Sequence, residues 1–286
     1  MKISVTSYSY GQCMSRDGWS IFDAMRHAKT VADGFDFSGI PVPEVRDTKE
    51  VAREIRAFAD SIELPIVCYA IGANLMEEDL DAEVERVCRE VDIAEILGAP
   101  VMRHDVAWGF PEWYKGTKTF NSVLPRLAEG CRRITEYAAK KGIRTCSENH
   151  GMFAQDSDRI LALIEAVDHP NYGVLCDLGN FLCADDPSHI AVGKVAPLAF
   201  HVHAKDFLVK PGTMRDPGAG WFRSRGGTYL RGTIIGNGEV PVEQDLWILK
   251  NAGYSGYVTV EFEGSERCPD AIVIGAENLK RYIANL

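Results

Sequence analysis

Residues 144–177 read RTCSENHGMFAQDSDRILALIEAVDHPNYGVLCD. The stretch Arg144–Asn149 is a short strand pattern, Ser157–Val167 is an amphipathic helical stretch, and Tyr172–Asp177 is a short apolar run again. A strand, a helix and a strand in that order form the unit of a parallel sheet, because a parallel partner has to be reached by a crossover. The same alternation runs to both ends of the chain. Further strands are predicted near Ile3–Tyr8, Gly34–Phe37, Pro65–Ala70, Pro100–Asp105, Ala199–His203 and Tyr257–Glu261. Helices are predicted over Ser20–Asp33, Thr48–Ser61, Leu80–Leu97, Ser122–Lys141, Pro187–Val195, Val242–Ala252 and Pro269–Ile283. In Leu80–Leu97, Val84, Val87, Cys88, Val91, Ala94 and Leu97 recur at spacings of three and four. That spacing leaves Glu83, Glu85, Arg86 and Arg89 for solvent. Gly34, Gly98, Gly142 and Gly253 follow helices and act as stops.

Eight strands alternating with eight helices fit an α/β fold, either a closed barrel or a doubly wound open sheet. The length of 286 residues favours a single (β/α)8 TIM barrel, which takes about 250 residues. No linker rich in Pro, Gly or Ser divides the chain, so one domain is expected over 1–286. One connection breaks the rhythm. Lys205 to Glu239 spans roughly thirty residues where a short βα loop is the rule. It carries Trp221, Phe222, Tyr229, Arg215, Arg223, Arg225 and Arg231 among many glycines. This long insertion after the seventh strand is expected at the C-terminal face, where barrel active sites lie. Surface decoration or an oligomer contact is the alternative, and its aromatics make a homo-oligomer plausible.

Composition narrows the function. The net charge of −10 repels phosphate backbones and anionic membranes, so neither nucleic acid nor membrane is expected as a partner. No long apolar run suggests a signal peptide or a membrane span. The eight cysteines form no Cys-x-x-Cys pair and are read as small buried hydrophobes in a reducing cytoplasm.

Four predicted strand ends carry ionisable groups where an apolar strand should stay apolar. They are Ser147-Glu148-Asn149-His150, Cys176-Asp177-Leu178-Gly179-Asn180, His201-Val202-His203-Ala204-Lys205-Asp206 and Val260-Glu261-Phe262-Glu263-Gly264. Burying a charge without a partner is costly, and one divalent cation would serve all four strands. Three carboxylates and one imidazole suit Mn2+ best, with Mg2+, Co2+ or Zn2+ as alternatives. Strand alternation points His201 with His203, Glu148 with His150 and Glu261 with Glu263.

These motifs resemble the xylose-isomerase-like TIM-barrel superfamily. That group includes sugar and sugar-phosphate isomerases and epimerases, D-tagatose 3-epimerase-like enzymes, inosose dehydratase and endonuclease IV. The resemblance covers the whole chain, and it implies Glu148, Asp177, His203 and Glu261 as metal ligands. It implies an isomerase or epimerase of carbohydrate metabolism acting on a keto-sugar through a metal-stabilised enediolate. Glu148 and Glu261 would serve as catalytic base and acid. His104, His150, Asn180, Lys205, Arg223 and Arg231 are the candidate contacts to a small sugar or cyclitol. Many epimerase-like members carry histidine where this chain has Asn180, so it departs from that pattern.

A lyase needs the same parts, because an enolate with a leaving group on the β carbon eliminates. That alternative is a keto-cyclitol dehydratase or an enzyme cleaving a 3-keto-glycoside, with Trp221, Phe222 and Tyr229 holding an aromatic aglycone. Endonuclease IV-like repair fits poorly with seven histidines and the charge of −10. A non-catalytic binding barrel is the remaining alternative.

Overall fold

The computed structural model describes residues 1–41 and 46–286. Eight parallel strands close into a barrel. They are β1 (Lys2–Thr6), β2 (Gly34–Ser38), β3 (Ile66–Ile71), β4 (Val101–His104), β5 (Arg144–Glu148), β6 (Tyr172–Asp177), β7 (Ala199–Ala204) and β11 (Tyr257–Val260). Each pairs with its neighbours in sequence order, and β1 closes the ring against β11, with Val5 opposite both Val260 and Phe35. The chain is therefore a (β/α)8 TIM barrel.

The helices are α1 (Gly11–Arg16), α2 (Ile21–Val31), α3 (Thr48–Ser61), α4 (Leu80–Leu97), α5 (Phe120–Ala139), α6 (Ser157–Val167), α7 (Asn180–Cys183), α8 (Ser188–Val195), α9 (Val242–Asn251) and α10 (Cys268–Ala284). Side chains set several starts. Ser20, Asp47, Asp79 and Asp156 each accept the backbone N–H three residues on, satisfying a donor that has no partner within the helix. Gly98 ends α4 with φ 71°. In α4 the apolar stripe is buried as expected, but so is Glu83. It faces inward because it accepts Asn74 N–H at 2.7 Å and pairs with Arg86 at 2.8 Å. None of the described helices is long and apolar enough to cross a membrane.

Period two along the strands sorts the barrel interior into layers. Cys68, Val101, Cys146 and Leu175 pack together as an apolar plug. Two residues further along each of β4, β5 and β6 stand Arg103, Glu148 and Asp177.

The segment after β7 was expected as a loop without regular structure. It contains instead a three-stranded antiparallel sheet of β8 (Asp206–Lys210), β10 (Tyr229–Thr233) and β9 (Phe222–Arg223). Asp206 staples it to the barrel. Its carboxylate accepts the N–H groups of Phe207, Gly236, Gly238 and Val240 at 2.8–3.0 Å. A Cβ at Gly238 would lie 2.2 Å from Asp206 Oδ1, so this approach demands glycine.

Cysteine usage also differs from expectation. Cys13 of α1 and Cys268 of α10 form a disulfide, while the other six are free. The two helices pack side by side although their cysteines are 255 residues apart in sequence. Cysteine usage therefore no longer argues for a reducing compartment.

Candidate active site

The C-terminal ends of β5, β6, β7 and β11 bring Glu148, Asp177, His203 and Glu261 together. One ligand atom from each lies within 4.8 Å of all the others. All but Glu261 are buried, and Glu261 is nearly so. The group underlies a cavity of about 530 Å3 whose walls include Tyr8, Tyr69, Arg103, Asp105, Trp108, His150, Lys205 and Glu263.

The polar groups divide into those that hold the four and those that face the cavity. Asn180 opens α7 and donates from Nδ2 to Glu148 Oε1 at 3.0 Å, while its N–H bonds Asp177 Oδ1 at 2.7 Å. Arg103 clamps the other Glu148 oxygen at 2.6 Å and Asp105 at 2.9 Å. Asp105 in turn takes His150 Nδ1 at 3.1 Å. Lys205 stands 3.3 Å from Glu261, 3.6 Å from Asp177 and 3.8 Å from Glu263. Gly179 leaves room for it, since a Cβ there would lie 2.4 Å from Lys205 Cγ.

His203 bridges two carboxylates, with Nδ1 2.9 Å from Glu261 and Nε2 2.8 Å from Asp36. Asp36 also meets His201 Nε2 at 2.9 Å, and that ring nitrogen lies 2.8 Å from Thr259 Oγ1. This buried Asp36–His201–Thr259 network was not anticipated. Its only signal is an acid between two phenylalanines, Phe35-Asp36-Phe37, in an otherwise apolar strand.

Burial would raise the Glu261 carboxyl, but Lys205 and His203 outweigh it and hold it well below the usual range. Burial would lower His203, yet Asp36 and Glu261 hold it well above the ordinary histidine range. Asp177 goes the other way. Burial pushes its carboxyl well up against the pull of Lys205, with Glu261 and Glu148 adding to the rise. Asp177 Oδ2 has no hydrogen-bond partner although it is fully buried. An orphaned carboxylate oxygen beside two further carboxylates and an imidazole is what a divalent cation would satisfy. These residues fit such an ion.

The remaining expected contacts are placed differently. His104 is fully buried with Nδ1 on Asp105 O at 2.8 Å, and its neighbour Arg103 lines the cavity instead. Period two explains the exchange, because adjacent residues of β4 point to opposite faces. Arg223 stacks on Tyr229 at 4.1 Å and also hydrogen-bonds its hydroxyl. Arg231 lies over Trp221 at 5.5 Å, and Phe222 meets Phe207 at 5.7 Å. None of these is among the cavity-lining residues, so Arg223, Arg231, Trp221, Phe222 and Tyr229 go to the insertion's own packing. His150 and Lys205 do line the cavity, and Asn180 reaches it only through Glu148.

A family model described as "Xylose isomerase-like TIM barrel" matches residues 27–282. Among curated proteins, an inosose dehydratase of Bacillus anthracis is 22% identical over 174 residues, covering 60% of this chain and 54% of that protein. The chain thus spans about half the length of the curated relatives it matches. Among solved structures, D-psicose 3-epimerase from Clostridium cellulolyticum H10 superposes with TM-score 0.73 at 16% identity, covering 99% of both chains. A xylose isomerase-like TIM barrel protein from Mycobacterium smegmatis in complex with magnesium superposes with TM-score 0.72 at 18% identity, covering 99% of this chain and 97% of that one.

Proposed function

The chain belongs to the xylose isomerase-like TIM barrel family, and on that premise we propose that it is a divalent-metal-dependent enzyme acting on a small keto-sugar or keto-cyclitol through an enediolate. The outcome we assign is isomerisation or epimerisation. The observation that carries this reading is the convergence of Glu148, Asp177, His203 and Glu261 beneath a polar cavity.

A cation held by those four groups would supply Lewis-acid stabilisation of the negative charge that develops on the carbonyl oxygen. Mn2+ suits the donor set best, with Mg2+, Co2+ or Zn2+ as alternatives. The chain's own groups do the rest. Glu148 and Glu261 stand on strands separated by β6 and β7, so a substrate above the centre has one glutamate on either side. Lys205 and His203 keep Glu261 ionised, the protonation state from which it would accept a carbon-bound proton. Glu148 is fixed by Arg103 and Asn180 and can return a proton from the other side. Lys205 and Arg103 hold positive charge beside the reacting oxygens.

One observation favours a second reading, elimination. His150 lies in the cavity wall, backed by Asp105, and can deliver a proton to a departing hydroxyl on the carbon beyond the enediolate. The likeness to inosose dehydratases also supports a lyase acting on a keto-cyclitol.

The test is incubation of Mn2+-loaded protein with keto-hexoses, keto-pentoses and inosose in deuterated water, followed by NMR. Metal-dependent deuterium at the carbon next to the carbonyl, abolished in Glu148→Gln and Glu261→Gln, supports the shared step. An isomer or epimer as product supports the first outcome, and an unsaturated product supports the second. No exchange on any of these substrates would sink the proposal.

A further inference from the structure

A second cavity, of about 490 Å3, opens beside the first between the segment that follows β1 and the one that follows β11. Tyr8, Ser38, Gly39, Ile40 and Glu263 line both cavities, so the two are chambers of one hollow. Away from the border with the first cavity, where Ser38 and Glu263 stand, the polar side chains of this annex are committed to main chain. Ser7 Oγ accepts Ser38 N–H at 2.8 Å. Ser9 Oγ donates to Val260 O at 3.1 Å and accepts Phe262 N–H at 2.8 Å. Gln12 Nε2 donates to Gly264 O at 2.7 Å. Among the described residues, those left to face a ligand are mainly apolar: Met14, Ile21, Ile40, Pro41, Phe262 and the ring of Tyr8, which is 49% exposed. Chemistry therefore changes across the hollow, from charged groups over the carboxylates to an apolar chamber beyond Tyr8.

Resting on the reading above, which puts a polyol over the four ligands, we propose that the substrate carries an apolar substituent of aromatic-ring size. The annex receives that substituent. The polar cavity alone falls in the ordinary range of ligand pockets, roughly 300–1,000 Å3, so a bare monosaccharide would leave the apolar chamber wet. A ring seated there gains by leaving water and by stacking on Tyr8. Its attachment point is the end of the polyol that lies nearest Tyr8 and Ile40, since those residues bound both chambers.

The test compares the 3-keto forms of 4-nitrophenyl β-D-glucopyranoside and methyl β-D-glucopyranoside on Mn2+-loaded protein, with 4-nitrophenol as a third probe. Binding is read by calorimetry and by the NMR shifts of the Met14 and Ile21 methyl groups, which belong to the annex only. The aryl glucoside should bind about 10- to 100-fold tighter than the methyl glucoside and shift both methyls. Met14→Glu should remove most of that preference and leave the methyl glucoside unchanged. Equal binding of the two glucosides, or an aryl preference without methyl shifts, would overturn the inference while leaving the polyol reading intact. A methyl glucoside that fails to bind, with 4-nitrophenol still shifting Met14, would keep the apolar subsite and overturn the polyol reading instead. A change in oligomeric mass on Met14→Glu, with the aryl preference untouched, would make the annex an interface between copies of the chain and overturn the inference.

Discussion

Asp36 lines neither chamber of the hollow, yet it governs the one imidazole among the four converging ligands. For His203 Nδ1 to offer a lone pair, the ring proton must sit on Nε2, and Asp36 Oδ2 is the acceptor 2.8 Å away. Asp36→Ala should therefore weaken Mn2+ binding by about 10- to 100-fold, read by calorimetry. Asp36→Asn keeps an acceptor oxygen and should recover part of the loss. Equal affinity for all three proteins would remove Asp36 from this role. Asp245 on α9 is a different kind of buried acid. Among the described residues its carboxylate bonds only Ser188, at 2.6 Å, Oδ1 has no partner, and burial raises the carboxyl to about 7. Because the folded state holds this proton more tightly than the unfolded chain, the contribution is fully present below pH about 4 and is lost as pH rises towards 7. Asp245→Asn should flatten that fall, by up to about 4 kcal/mol between pH 4 and 8. Urea midpoints of both proteins across that range check it, and parallel pH profiles would contradict it.

Among the elements, the insertion after β7 tests how far sequence pattern reaches. The barrel strands were legible because strands covered on both faces read as short apolar runs, and the helices between them as amphipathic stretches. The four converging residues were legible for a related reason, since charge at the end of such a run is conspicuous. Arg103 was passed over for His104 because both are polar and only the register of β4 tells which points inward. The sheet of β8, β9 and β10 was hidden by its glycines and prolines, which mark turns but do not say that the pieces between them pair. The Cys13–Cys268 pairing was hidden by distance along the chain. Asp206 closes the base of that sheet, its carboxylate binding four backbone N–H groups, three of them in the segment that returns from β10. Asp206→Ala should cost about 3 kcal/mol or more, since charged hydrogen bonds are worth roughly 1.5–3 kcal/mol each. Because Lys205 precedes Asp206 directly, substrate turnover should fall as well. Hydrogen exchange should show the amides of Gly236, Gly238 and Val240 losing protection first. Unchanged protection there would mean the sheet holds without its staple.

Across the whole molecule, the barrel concentrates unlike charges in unequal amounts. Among the described residues, Asp36, Asp105, Glu148, Asp177, Glu261 and Glu263 face only Arg103 and Lys205 as permanent cations, beside the imidazoles of His150, His201 and His203. The surplus is negative, and the chain as a whole is at −10, so no distant excess of positive charge relieves it. Such an interior is stable only by protonating a carboxyl, as burial drives Asp177 to do, or by taking up a cation. Cation binding to the folded state alone must then appear as stability. At a hundred times its dissociation constant a ligand adds about 2.7 kcal/mol, which for a chain of this size is about 4–5 °C in Tm. Chelation should lower Tm by that amount and Mn2+ should restore it. Asp177→Asn removes one ligand and lightens the same surplus of charge. It should raise the Tm of the chelated protein, or leave it unchanged, while abolishing the response to Mn2+. If chelated and Mn2+-loaded proteins melt together, the carboxylates are balanced by Lys205 and Arg103 alone and the metal assignment fails.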